Sequence, residues 1–159
     1  MQPKIVNIKD KHLLGISCRM SVNNNKTPEL WKKFMSILRT ISSNKPQEFI
    51  ALQVYEASYF SSAFDPSKEF DQWACMEVEN GKEIHQELTP FWLKGGLFAV
   101  FNYKGPSTDH SVFEYIYGTW IPESQFQLDD RPHFQVMGEK YSNNSPSSEE
   151  EIWIPLRSK

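Results

Sequence analysis

The chain of 159 residues suits one compact domain, or two small halves sharing a core. Charged residues are 23% and hydrophobic residues 39%, and a net charge of −3 with a pI of about 5.8 provides none of the basic field that nucleic-acid binding needs, while weakly favouring cationic partners. No stretch approaches the ~18 apolar residues of a membrane span, and the N-terminal MQPKIVNIKDKHLL lacks the apolar core of a signal peptide, so the expected location is the cytoplasm.

Residues 3–8 and 12–20 read as strands, the second (HLLGISCRM) carrying a glycine that suggests a bulge. NNNKTPELWKKFMSILRTISSNKP follows as the clearest helix, with Thr27 as N-cap and Pro28 at the first helical position. Leu30, Phe34, Ile37, Leu38 and Ile41 form its apolar stripe, Trp31 and Met35 widen one flank, and the SSNKP turn ends it. EFIALQVYEA is a strand with Ile50, Leu52 and Val54 on one face. An aromatic loop over residues 57–68 leads to the strand FDQWACMEV and a turn at Asn80-Gly81.

The pattern then restarts. LTPFWLKGGLFAVFNYKG offers two strands joined as a hairpin at Gly95-Gly96, STDHSVFEYIYGTWIP is a helix capped by Asp109 or Ser107, RPHFQVMGEKY is a strand, and EIWIPL closes the chain after a polar loop. Val112, Phe113, Ile116 and Trp120 make the second helix's apolar side. The order is β-β-α-β-β twice, with the helices starting about 80 residues apart, which suggests a duplication over residues 3–80 and 86–157 of a single domain spanning 1–159. An α+β fold follows: an antiparallel sheet with two helices on one face and a central ligand groove between them.

Motifs for common chemistries are missing. His12, His85, His110 and His133 have no metal-ligand spacing and read as surface or partly satisfied residues; there is no CxxC, GxGxxG, P-loop or GxSxG, and no cofactor is expected. Cys18 and Cys75, both in apolar stretches, read as free thiols. What remains is aromatic residues, 14% of the chain with five Trp, and one carboxylate. Alternation puts Glu151 and Trp153 on one face of the last strand and Ile152 and Ile154 on the other. A carboxylate beside an aromatic wall suits a lipophilic cation, and a solvated acidic run before an edge strand explains the same residues; Trp153 is open to sheet packing or a pocket. Tyr117 lies off its helix's stripe and faces the groove. Tyr55 and Trp73 lie opposite the aliphatic positions of their strands, toward solvent, an interface or a pocket.

GGLFAVFNYKGP, then a helix closing in TWIPES, then EIWIPL resembles the effector-binding domain superfamily, which includes gyrase-inhibitor-like proteins and the ligand-binding domains of AraC-type and MerR-type multidrug regulators. Gly96, Phe98 and Ala99 match the first signature with Phe for the usual Tyr, and Gly105 matches the strand end. Trp120-Ile121-Pro122 matches the helix end with Ile for Leu, and Glu151 through Pro155 matches the last strand with Trp for Tyr. The resemblance is clearest over residues 91–157. It implies duplicated β-α-β-β modules around a groove, with Glu151 as the buried carboxylate that meets cationic, aromatic ligands.

The sequence shows no helix-turn-helix, so the expected role is a free-standing small-molecule binding module for cationic, lipophilic or drug-like compounds, in transcriptional sensing or drug sequestration, without direct nucleic-acid or membrane binding. The candidate ligand-binding residues are Glu151, Trp153, Tyr117, Tyr55 and Trp73. Two alternatives stand beside it. Some gyrase-inhibitor-like relatives hydrolyse reactive electrophiles, and Glu151 would then be a general base. A gyrase-inhibitor-like protein interaction would use the aromatic loop over residues 57–68. Sheet edges and spare aromatics also permit a homodimer.

Overall fold

The first and second halves of the chain exchange their leading strands. In the computed structural model, which describes residues 1–41, 48–61, 63–79 and 86–159, β1 (Lys4–Ile8) and β2 (Lys11–Ser21) run antiparallel to β6 (Gly96–Lys104) and β5 (Thr89–Leu93) respectively. Lys4 faces Val100 and Ile8 faces Gly96; beyond a two-residue break, Lys11 faces Leu93 and Gly15 faces Thr89. The offset does not change across the break, so the two segments form one long ladder that bends once. β5 and β6 are therefore collinear pieces of that ladder, and Gly95-Gly96 is its bend rather than the expected hairpin.

The remaining elements hang from this ladder. Helix α1 (Thr27–Leu38) connects β2 to β3 (Phe49–Val54), and β4 (Glu69–Glu77) follows. In the second half α2 (Ser111–Tyr115) continues as a wide π-helical turn over Ile116–Trp120 and a last turn α3 (Ile121–Glu123), before β7 (Phe126–Leu128), β8 (His133–Met137) and β9 (Glu149–Ser158). The antiparallel sheet of the described residues has nine strands, ordered β1-β6-β9-β8-β3-β4-β2-β5 with β7 paired to β9. Each half supplies one member of every symmetric pair in that order, and β3 and β8 meet at the centre.

Alternation explains the layers. Leu14, Ile16, Ala74 and Met76 pack under Leu30, Phe34 and Ile37 of α1, while Ala99, Phe101, Ile152 and Ile154 pack under Val112, Ile116 and Ile121. Ala51 pairs with Ala74 and with Gln135, which pairs with Ile152, so both helices lie on the same face. The opposite face buries Leu13, Ile50, Leu52, Cys75, Leu93, Phe98 and Phe134. The wide turn in the second helix delays its next inward position by one residue: Ile121 is buried, and Trp120 leans edge-on to Phe101 at 5.3 Å.

Several local expectations change. Thr27 is the first residue of α1 rather than its cap, and the Asn25 side-chain oxygen accepts its N–H at 3.0 Å. Gly15 is no bulge: a Cβ there would lie 2.2 Å from the Ala74 carbonyl oxygen, so glycine permits a close approach within regular pairing. The last strand starts two residues earlier than expected, so Glu149 and Glu150 belong to β9 with Glu151. Pro155, which has no N–H to give, sits where β9 changes neighbour from β8 to β7. Cys18 and Cys75 are unpaired thiols. No helix among the described residues is long and apolar enough to cross a membrane. The expected turns over 42–46 and at 80–81, and His85, lie outside the described residues.

At the bend, Asp10 accepts the Gly95 N–H at 2.7 Å and the Trp92 indole N–H at 2.9 Å. Arg131, whose side chain is 10% exposed, pairs with Asp129, donates to the carbonyls of Gly95, Leu97 and Leu156, and lies over the Phe98 ring. A Cβ on Gly95 would fall 2.2 Å from the Ile8 carbonyl oxygen, whereas one on Gly118 would meet nothing within 4 Å. Gly95→Ala is expected to cost about 2 kcal/mol or more by overpacking, and Gly118→Ala to gain about 0.5–1 kcal/mol of helix propensity. Urea denaturation of the two variants checks both; equal stabilities would reject the bend as a tight crossing.

Candidate functional site

Between the two helices the sheet floor is formed by β3 and β8, which α1 reaches at Phe49 and the second helix at His133. Alternation turns Phe49, Ala51 and Gln53 of β3 and His133, Gln135 and Met137 of β8 to this side, because Ile50, Leu52, Phe134 and Val136 face the other core. Gln53 and Gln135 exchange two side-chain hydrogen bonds at 2.9 and 3.1 Å, and Gln53 also donates to Gln72 at 3.3 Å. This amide ladder satisfies the middle of the floor without a formal charge.

One end of the groove is a box of aromatic rings. His133 pairs with Gln53 across the central strands, and the chain leaving β3 brings Tyr55 over the same face. Tyr55 meets His133 edge-on at 5.0 Å, and the Tyr117 hydroxyl lies 2.9 Å from His133 Nδ1. Phe60, from the loop after β3, stacks on Tyr117 at 5.1 Å and on His133 at 5.2 Å, with interplanar angles of 27° and 19°. Tyr59 and Phe70 close the side next to Tyr55. Burial lifts the Tyr55 and Tyr117 hydroxyls above their ordinary range and lowers His133 to about 3, with Arg131 adding to the latter effect. The whole box is thus uncharged at neutral pH.

The charge lies elsewhere on the strand ends. Glu150 alternates to the helix side with Ile152 and Ile154, opposite Tyr103. Burial raises its carboxyl above the ordinary value, and no ion pair with another described residue offsets that. Glu151 takes the other face with Trp153, whose indole N–H it accepts at 3.1 Å. Both carboxylates line an open cleft of about 770 Å³, along with Glu48, Glu77, Glu139, Glu149, Asn102, Val136, Gly138 and Lys140.

The five residues singled out from the sequence therefore separate. Tyr55 and Tyr117 converge on His133 on the helix side. Glu151, Trp153 and Trp73 lie on the opposite side, where Trp153 stacks on Phe134 at 5.0 Å and Trp73 packs on Phe91 at 4.9 Å. Neither Tyr55 nor Trp73 faces solvent. Of the two readings for His133, surface or partly satisfied, the surface one fails, since it is 3% exposed and partnered by Tyr117; its place in the site was missed, as were Glu150, the amide ladder and the role of Phe60 and Phe70. The signal for His133 was its place in the alternation of His133, Gln135 and Met137 against Phe134 and Val136.

The GyrI-like small molecule binding domain family matches residues 1–157. The transcriptional regulator BrlR of Pseudomonas aeruginosa is 22% identical over 158 residues, 98% of this chain and 56% of BrlR, so the chain spans about half the length of that relative. Among solved structures, SAV2435 bound to tetraphenylphosphonium superposes with a TM-score of 0.73 at 13% identity, covering 99% of this chain and 94% of the other. A Listeria innocua hydrolase encoded by lin2189 gives 0.63 at 8% identity, covering 98% and 92%. These superpositions establish a shared fold.

His133 has a pH consequence. In the unfolded chain it titrates near 6.5, while the folded protein keeps it neutral down to about 3. The unfolded state takes up a proton that the folded state refuses, so this contribution is complete above about pH 6.5 and is lost as pH falls toward 3. Thermal unfolding should show the wild type losing about 5 °C or more across this window relative to His133→Gln. Parallel profiles would reject a buried neutral imidazole.

Proposed function

Since the chain belongs to the GyrI-like small-molecule-binding domain family, related to the ligand-binding domains of transcriptional regulators, we propose that it takes up a lipophilic, aromatic cation in the groove between its helices. The carrying observation is an uncharged aromatic box at one end of the groove and a partly buried carboxylate toward its other end, on the same sheet face. Ring faces attract a diffuse cation without demanding hydrogen bonds from it. Glu150 supplies the counter-charge, and a ligand cation meets a need that no described residue fills. The acidic cleft, with Glu151 at its rim, raises the local concentration of cations before they settle.

Tetraphenylphosphonium, the ligand of the SAV2435 structure, has this chemistry and is the probe of choice. The likeness to the transcriptional regulator BrlR supports a regulatory role, by sensing or sequestration. Hydrolysis is the weaker reading: Glu151, the base it would need, lies on the opposite sheet face from Tyr55 and Tyr117 and already holds the Trp153 N–H.

By calorimetry, Glu150→Gln should weaken tetraphenylphosphonium binding about tenfold, the scale of one charge-assisted contact. Glu151→Gln should weaken it less, through long-range attraction alone. Because burial raises the folded Glu150 carboxyl, wild-type affinity should fall as pH drops through its raised titration range, and the Glu150→Gln affinity should fall less over the same range. Unchanged binding by Glu150→Gln would reject its counter-ion role; a larger loss in Glu151→Gln would transfer the role to that residue.

A further inference from the structure

The aromatic slot is already full. Phe60 lies nearly parallel to the Tyr117 and His133 rings and meets Tyr55 and Tyr59 edge-on, so the space over the hydrogen-bonded imidazole and phenol is occupied by a ring from the chain itself. Two open volumes among the described residues lie elsewhere: the acidic cleft, and a cavity of about 420 Å³ beside Tyr59 and Arg19.

The segment that delivers the ring has a local build. The Tyr59 N–H closes a turn on the Glu56 carbonyl at 2.9 Å, and the Ser61 N–H closes another on Ser58 at 3.2 Å. These bonds lie inside the segment and survive if it swings as a unit. Phe60 is 38% exposed over a buried His133 and a half-buried Tyr117, and Phe64 further along is 71% exposed. The ring is seated by stacking and edge contacts, the kind of force with which an aromatic ligand would bind in its place, while its turn is tied to the rest of the chain by the Lys68 bond to the Tyr59 carbonyl and the Arg19–Glu56 ion pair.

We propose that Phe60 is a built-in occupant of the ligand slot, and that binding exchanges this ring for an aromatic ring of the ligand. The proposal rests on the aromatic-ligand reading above and adds its regulation. The free protein keeps the slot dry and closed, and occupancy of the slot drives the segment carrying Phe60 outward, beside the already exposed Phe64. The measured affinity is then the intrinsic affinity reduced by the stability of the self-stacked state.

The test compares wild type, Phe60→Ala and Phe64→Ala. Titration with tetraphenylphosphonium should show about tenfold tighter binding by Phe60→Ala and no change for Phe64→Ala. Toluene, which fits a slot the size of a benzene ring, should raise the melting temperature of Phe60→Ala and leave that of the wild type unmoved. Chymotrypsin should cut the wild type after Phe60 faster when the phosphonium is present. Weaker or equal phosphonium binding by Phe60→Ala, or protection of Phe60 by ligand, overturns the exchange and makes Phe60 a structural cover. Toluene rescue of Phe60→Ala without phosphonium binding to any of the three proteins leaves the self-filled slot standing and rejects the cation as its ligand.

Discussion

Everything in this fold depends on the crossing of two chain segments at Asp10 and Gly95. There the Asp10 carboxylate holds an amide and an indole of the opposite segment, and the bond to the Gly95 amide is the main reason its carboxyl lies below the ordinary range. The bend lets one ladder serve two halves, so each half lends its first strand to the other. Arg131 locks the arrangement from within by satisfying carbonyls on both β6 and the bend. With the outer strands committed in this way, β3 and β8 are left in the middle, and the helices fall to either side of them. The groove is a consequence of the crossing rather than a separate feature.

The chemistry of that groove follows from what its floor can tolerate. A pair of strands at the seam between two helices must be neither strongly charged nor wholly apolar. The amide ladder of Gln53, Gln72 and Gln135 meets that demand with internally satisfied dipoles. Aromatic rings gather at one end, where the loop after β3 and the wide turn of the second helix both deliver them. Charge is confined to the strand ends, where water still reaches most carboxylates. Recognition by shape and ring faces in the middle, with charge at the margin, favours breadth over strict selection among flat, lipophilic molecules.

Much of the scaffold could be read from the residues. Thr27–Leu38 is helical because Leu30, Phe34 and Ile37 recur at the right interval, and those three are its buried positions. The antiparallel sheet and the repeated order also followed from alternation and spacing. Alternation tells which side of a strand is buried but not which strand lies beside it, so the exchange of β1 and β5 stayed hidden behind an apparent Gly95-Gly96 hairpin. β7 has three residues, too few to show a period. In a run of three glutamates no apolar residue marks the phase, which is why Glu150 escaped notice while Glu151, next to Ile152, stood out. Tyr55 and Tyr117 could each be suspected, but their meeting at His133 depends on the Gln53–His133 register, which only the assembled sheet supplies.

The exchanged strands also set the order of events when the chain folds. Lys4 cannot find Val100, nor Lys11 find Leu93, until the second half exists. Such distant pairings make loop closure costly and folding slow compared with a chain of local contacts. During synthesis the first half emerges with β2 lacking its outer neighbour, an open edge that includes Leu13, Leu14 and Ile16. Neither half is a self-sufficient folding unit, despite the symmetry between them, and the chain is most exposed to aggregation while only its first half has left the ribosome.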